Sequence, residues 1–143
     1  MAIGNRKSAT YGVAALLSLL GLADAVYLTI EHVTGQSVRC TIIAGCSEVL
    51  SSSYAVVAGI PLASIGAAAY FSVFSLATLA AFGYRTAANL LTPLIVVMFL
   101  VSLWLIYLQA FVIRAFCQFC LFSAAITVVL LAVVLMARRI KSV

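Results

Sequence analysis

Apolar residues run along this chain in long stretches broken by short polar segments. The first extends from about Tyr11 to Val33 and the second from about Ile60 to Phe82. From Leu90 onward the chain is apolar for roughly fifty residues, too long for one membrane crossing and suited to two joined tightly. The pattern predicts an all-α membrane protein, a four-transmembrane-helix bundle in one integral domain, 1–143, with spans at about 11–33, 60–82, 88–112 and 116–137. Pro61 fits the first turn of the second helix, and Pro93 falls near the start of the third. Gly83 to Asn89, with Arg85, makes a short turn, and Arg114, the only charge in the long last stretch, marks the bend between helices three and four. Ala23-Asp24-Ala25 has the small-residue form of a signal-peptidase site. The apolar run continues through Val26 to Ile30, so the first helix is read as uncleaved.

The one long non-spanning region, 34–59, holds Gly35, Gln36, Arg39, Cys40, Gly45, Cys46 and the run Ser51 to Ser53. Within Ser47 to Val57, the residues Val49, Leu50, Tyr54 and Val57 recur at helical spacing among polar neighbours. This predicts a short interfacial helix resting its apolar face on the membrane.

Composition sharpens the class. Of 143 residues 66% are hydrophobic, and a soluble domain of that size could not hide so much apolar surface. The net charge of +5 raises the question of nucleic acid, but the basic residues stand singly or in pairs at the ends of apolar segments. They read as topology markers, and no nucleic-acid partner is expected. Four spans put both termini and the Arg85 turn on one side, with Arg6, Lys7, Arg85, Arg138, Arg139 and Lys141, six of the eight basic residues, against Arg39 and Arg114 on the other. The positive-inside tendency makes the six-residue side cytoplasmic, in a multi-pass protein of the inner or plasma membrane. The loop with Cys40 and Cys46 and the pair Cys117 and Cys120 then lie together on the outer side, where all four thiols can meet.

Cys117-Gln118-Phe119-Cys120 is a C-x-x-C pair inside an apolar run. Thiols three apart on a helix share a face and suit a reversible disulfide. The positive end of the fourth helix and nearby Arg114 favour the thiolate, the species that attacks disulfides. Cys120 lies deeper than Cys117, and Ala124 and Thr127 continue its face toward an apolar site suited to a quinone ring. Cys40 and Cys46 are separated by five residues in a glycine-containing loop, which allows a disulfide with exchangeable partners. The combination describes a relay from outside thiols to the outer pair, then the inner pair, then a lipid-phase acceptor. A four-thiolate zinc site fits these spacings poorly, with one C-x-x-C knuckle only, so no metal is expected.

These residues resemble the vitamin K epoxide reductase (VKOR) family in its bacterial and archaeal branch. The matching text is Cys40, then Gly45-Cys46-Ser47-Glu48-Val49-Leu50-Ser51-Ser52-Ser53-Tyr54-Ala55, Gly59-Ile60-Pro61-Leu62-Ala63, and Cys117-Gln118-Phe119-Cys120, with likeness also in Gly21 to Thr29 and Tyr107 to Ile113. The resemblance implies a four-helix bundle around a quinone with the loop helix as a lid, in an oxidoreductase that supports disulfide-bond formation. It implies that Cys117 and Cys120 are the active-site pair, that Cys120 engages the quinone, that Cys46 exchanges with Cys117, and that Cys40 first meets the protein partner. Ser52 matches a family serine at the lid. Leu62 and Ala124 stand where the vertebrate enzymes hold the quinone with an asparagine and a tyrosine, and Ile65 and Leu105 join them in the expected pocket. Reduction of an ordinary quinone, whether ubiquinone, menaquinone or a vitamin K type, is therefore expected ahead of epoxide reduction. Many bacterial relatives carry a fused thioredoxin-like domain. The chain stops at Val143 without one, so a separate extracytoplasmic thioredoxin-like or DsbA-like partner is expected.

Other polar groups have plainer readings beside functional ones. Asp24 lies within the first span, where an ionisable side chain is a functional candidate and a helix-packing hydrogen bond is the alternative. His32, near Glu31, reads as an interfacial histidine before a proton carrier. Tyr107, Gln109 and Ser123 read first as interhelical hydrogen bonders. The competing function is a heavy-metal transporter passing mercuric ion between cysteine pairs, against which stands the placing of all four thiols on one side. A non-catalytic scaffold with a structural disulfide is a third reading.

Overall fold

The computed structural model describes residues 2–34, 56–57, 59–114 and 118–142. Four helices make up most of it: α1 (Ala2–Thr34), α2 (Leu62–Ala81), α3 (Arg85–Tyr107) and α4 (Gln118–Ser142). A π-helical segment, Leu108–Ile113, prolongs α3. Two short strands, β1 (Val56–Val57) and β2 (Ile60–Pro61), pair antiparallel just before α2, with Val56 opposite Pro61 and Val57 opposite Ile60. Each helix contains a stretch long and apolar enough to cross a membrane: Ser8–Glu31, Leu62–Ala81, Arg85–Val112 and Phe119–Arg139. In lipid every backbone amide and carbonyl must be satisfied within its own segment, so apolar runs of this length become helices.

The helices close a ring in which α1 packs on α2 and α4, and α3 packs on α2 and α4. Ser8 at the start of α1 donates to the Ala81 carbonyl at the end of α2, at 3.0 Å. Arg138 near the end of α4 donates from Nε to Thr92 Oγ1 near the start of α3, at 2.7 Å. Tyr27 of α1 meets Phe119 of α4 with ring centroids 5.4 Å apart. Successive helices therefore run in opposite directions. One end of the bundle carries the starts of α1 and α3 and the ends of α2 and α4. The opposite end carries Thr34, the hairpin, Arg114 and Gln118.

Large apolar side chains point outward, among them Leu16, Phe71, Leu100 and Met136, while the interior is built from small residues. Ala14, Ala25, Ala77, Ala87 and Ala137 are buried together with Leu91, Ile95, Leu130 and Val134. Lipid tails are as apolar as leucine, so association rests on close packing, which small residues permit. Hydroxyls inside the helices satisfy themselves on their own backbone, as Ser18 does on the Ala15 carbonyl at 2.6 Å and Thr29 on the Ala25 carbonyl at 2.7 Å.

Helix ends differ from expectation in several places. The interfacial helix expected over Ser47 to Val57 lies mostly outside the described residues, and its last two residues form β1 instead. Ile60 and Pro61 then belong to β2, and α2 begins at Leu62 rather than Ile60. The two valines with Ile60 are β-branched and favour a pleated ladder. The third helix starts at Arg85, three residues before the expected Ala88, which moves Pro93 a turn further from its start. Polar residues suit a helix's first turn as well as a loop, because the first amides there have no intrahelical partner.

The turn before α3 is a complete C-terminal cap. Tyr84 N–H bonds the Leu79 carbonyl and Gly83 N–H the Ala80 carbonyl, both at 3.1 Å. Gly83 sits between them at φ +102, where a Cβ would be strained. Arg114 closes the π segment at φ 58, with its amide on the Gln109 carbonyl, and so forms the bend expected at that position.

Candidate functional site

Cys120 is the third residue of α4 and is half-buried. Cys40, Cys46, Cys117 and Ser52 lie outside the described residues. Chain connectivity still bears on them. The segment with Cys40 and Cys46 leaves the end of α1 and returns at β1, and Cys117 immediately precedes α4. Of the other expected pocket residues, Leu62 and Leu105 are half-buried, Ile65 is 43% exposed and Ala124 is buried.

From Cys120 the helical repeat leads inward through Ser123 and Ala124 to Thr127, roughly 5 and 10 Å along the axis. This face meets Tyr70 of α2. The Tyr70 hydroxyl lies 2.6 Å from Ser123 Oγ, 3.0 Å from the Ser123 carbonyl and 3.2 Å from Thr127 Oγ1. Thr127 in turn donates to the Ser123 carbonyl at 2.9 Å. Tyr70 thus reaches across the diagonal of the bundle from α2 to α4. It can do so because α1 has Gly21 at that level: a Cβ there would fall inside the Tyr70 ring. Tyr70 and Thr127 are buried, so the hydroxyls are cut off from solvent.

On α1, Asp24 lies one turn before Tyr27, whose ring touches Phe119 beside Cys120. Because α1 and α4 run antiparallel, this register puts Asp24 level with Phe122, about 3 Å deeper than Cys120. It is within electrostatic reach of Tyr70. Its Oδ2 is buried and has no hydrogen-bond partner among the described residues. The packing hydrogen bond considered for Asp24 is therefore not made by that oxygen.

Gln109 is 2% exposed, drawn inward by the π segment that runs up to the C-x-x-C. Such wide turns occur where a helix must re-aim a side chain, often near functional sites. Tyr107 is half exposed and stacks between Trp104 and Phe111 on the outer surface of the bundle, rather than lining the interior. Sequence reasoning passed over Tyr70. The available signal was a lone phenol in the alanine-rich run of the second span, facing a glycine in the first.

The site therefore combines a cysteine at the mouth of an apolar bundle, a buried hydroxyl cluster beneath it and a carboxyl group at the same depth. The family model for the Vitamin K epoxide reductase family matches residues 13–135 of the 143-residue chain, which takes in all four helices and all four cysteines. The chain belongs to that family of membrane oxidoreductases, whose chemistry joins thiols and quinones.

Proposed function

We propose that this protein is a membrane thiol oxidase: it takes electrons from a thioredoxin-like or DsbA-like dithiol protein and passes them to a membrane quinone, supporting disulfide-bond formation. The supporting observation is the position of Cys120, at the end of α4 that shares a bundle end with both attachments of the Cys40–Cys46 segment. Four cysteines tethered to one end can exchange disulfides by successive thiolate attack.

The partner's dithiol reduces a Cys40–Cys46 disulfide and is itself oxidised. The Cys46 thiolate then attacks Cys117 of a Cys117–Cys120 disulfide and releases Cys120. Attack by Cys40 on the mixed disulfide frees Cys117. The inner dithiol re-forms its disulfide as a quinone, the substrate, is reduced to quinol. Electrons thus pass from water-facing thiols to the lipid phase without crossing the bilayer. The apolar wall expected around the acceptor includes Leu62, Ile65, Leu105 and Ala124, with Ser52 at the lid. The bundle end with both chain termini bears Arg6, Lys7, Arg85, Arg138, Arg139 and Lys141, so it faces the cytoplasm and the cysteines face outward.

The test is reduction of a short-chain ubiquinone by the reconstituted protein with a dithiol donor. Cys120→Ala should abolish turnover. Unimpaired turnover in that variant would overturn the mechanism.

A further inference from the structure

Quinone reduction by a dithiol moves protons as well as electrons. As the Cys117–Cys120 bond forms, two S–H bonds break and two O–H bonds form, and the two electrons leaving sulfur end on the quinone. At the edge of an apolar bundle an ionisable side chain near the sulfur can carry those protons.

The hydroxyl cluster holds no carboxyl group, and its oxygens bond one another and the backbone. Thr127 donates to the Ser123 carbonyl, Ser123 Oγ has its short contact with the Tyr70 oxygen, and Tyr70's single proton goes to the Ser123 carbonyl. Asp24 is different. Its Oδ2 is the one buried side-chain oxygen or nitrogen among the described residues with no hydrogen-bond partner. A buried polar atom left unpaired is costly, so its presence calls for a ligand or a function. It lies level with the first turn beneath Cys120, on the side of α1 that faces α4. The ionisable groups around it among the described residues are Tyr70 from α2, Cys120 from α4 and, on α1 itself, Tyr27 and Glu31.

We infer that Asp24, as the carboxylic acid, bonds a carbonyl oxygen of the quinone beside Cys120 and hands it a proton during reduction. The Asp24 carboxylate then takes up the proton of one cysteine thiol, and the proton of the other thiol goes to the second quinone oxygen, so Asp24 returns unchanged and the step balances as dithiol plus quinone to disulfide plus quinol. This rests on the thiol–quinone reading above.

The decisive measurement is single-turnover quinol formation by the pre-reduced protein in lipid nanodiscs with a short-chain ubiquinone. Asp24→Asn keeps a hydrogen-bond donor but cannot supply a proton, so quinol formation should fall by roughly 10²–10⁴-fold, the range for a positioned acid. Reduction of the cysteines by dithiothreitol should stay at the wild-type rate. A second readout uses the wild-type protein: Asp24 is the chain's only aspartate, so isotope-labelled aspartate reports on it alone in an infrared difference spectrum. Its carboxylic-acid band should shift when quinone is added. Quinol formation within about twofold of wild type in Asp24→Asn, or a labelled band that does not move, overturns the inference. If the variant does not fold, the infrared result decides. Cys120→Ala, run in parallel, separates the two readings: activity that needs Cys120 but not Asp24 sinks this inference alone, and activity that survives without Cys120 sinks both.

Discussion

Tyr70 illustrates how one residue ties helices together in the absence of a hydrophobic driving force. Its ring fills the slot left by Gly21 on α1, and its hydroxyl ends on Ser123 and Thr127 of α4. Removing the hydroxyl in Tyr70→Phe should cost about 0.5–1.5 kcal/mol, the usual net worth of such a bond. Gly21→Ala should cost more, about 1–3 kcal/mol, because the new methyl group would occupy space the ring already fills. If the two act through one contact, the double variant should lose less than the sum of the single losses. Thermal or denaturant unfolding in detergent measures all three, and strict additivity would show that Gly21 and Tyr70 act independently. Neither residue belongs to a reactive motif, so sequence reasoning aimed at such motifs did not single out their pairing. Cys120 drew notice in the sequence because a C-x-x-C stands out in an apolar segment, whereas the depth of Asp24 relative to it depended on the Tyr27–Phe119 contact.

At the scale of elements, the passage from α3 through the π segment to α4 governs how the C-x-x-C is presented. The hydropathy pattern located the bend at Arg114 correctly, since a charge interrupts a long apolar run there. It could not distinguish an α-helix from a π-helix over Leu108–Ile113, because both bury one stripe and satisfy their own backbone. Arg114 occupies the left-handed region at φ 58, at a cost of roughly 1–2 kcal/mol for a residue with a Cβ. Arg114→Gly should therefore preserve or raise the unfolding temperature, and Arg114→Val, β-branched and ill-suited to positive φ, should lower it. Equal unfolding temperatures for the two variants would mean that this turn relaxes to another conformation. The hairpin at Val56–Val57 is the reverse case. Both valines fell inside the expected helix, Val57 by its spacing, and pairing with Ile60 and Pro61 drew them into a strand.

For the whole molecule, two levels of exposed aromatic side chains flank the bundle. Phe82 and Tyr84 project at the Gly83 turn, and Trp104, Tyr107 and Phe111 project toward the other end of the same helix. Tyr84 and Trp104 are separated by about 30 Å of helix, the thickness of a bilayer's hydrocarbon core, and aromatic rings of this kind collect at membrane interfaces. The orientation proposed here predicts that, in a chain whose four native cysteines are replaced by serine, a membrane-impermeant maleimide added outside intact cells labels a cysteine placed at Arg114, and leaves one placed at Arg85 unlabelled until the membrane is opened. The reverse pattern would invert the protein and put the reactive thiols toward the cytoplasm.

The linear chain alone determined the number of spans, the bend before the C-x-x-C and the order of the cysteines. It could do so because membrane insertion depends on the length and hydropathy of continuous segments, and lipid leaves a spanning backbone little choice but helix. The tertiary structure decided which side chains share a level within the bundle. Tyr70 and Ser123 are 53 residues apart in sequence, and their contact follows from helix rotation and the missing side chain at Gly21, neither of which leaves a periodic trace. The unpartnered oxygen of Asp24 beneath Cys120 belongs to the same class of fact, a juxtaposition that exists only once α1 and α4 are packed in register.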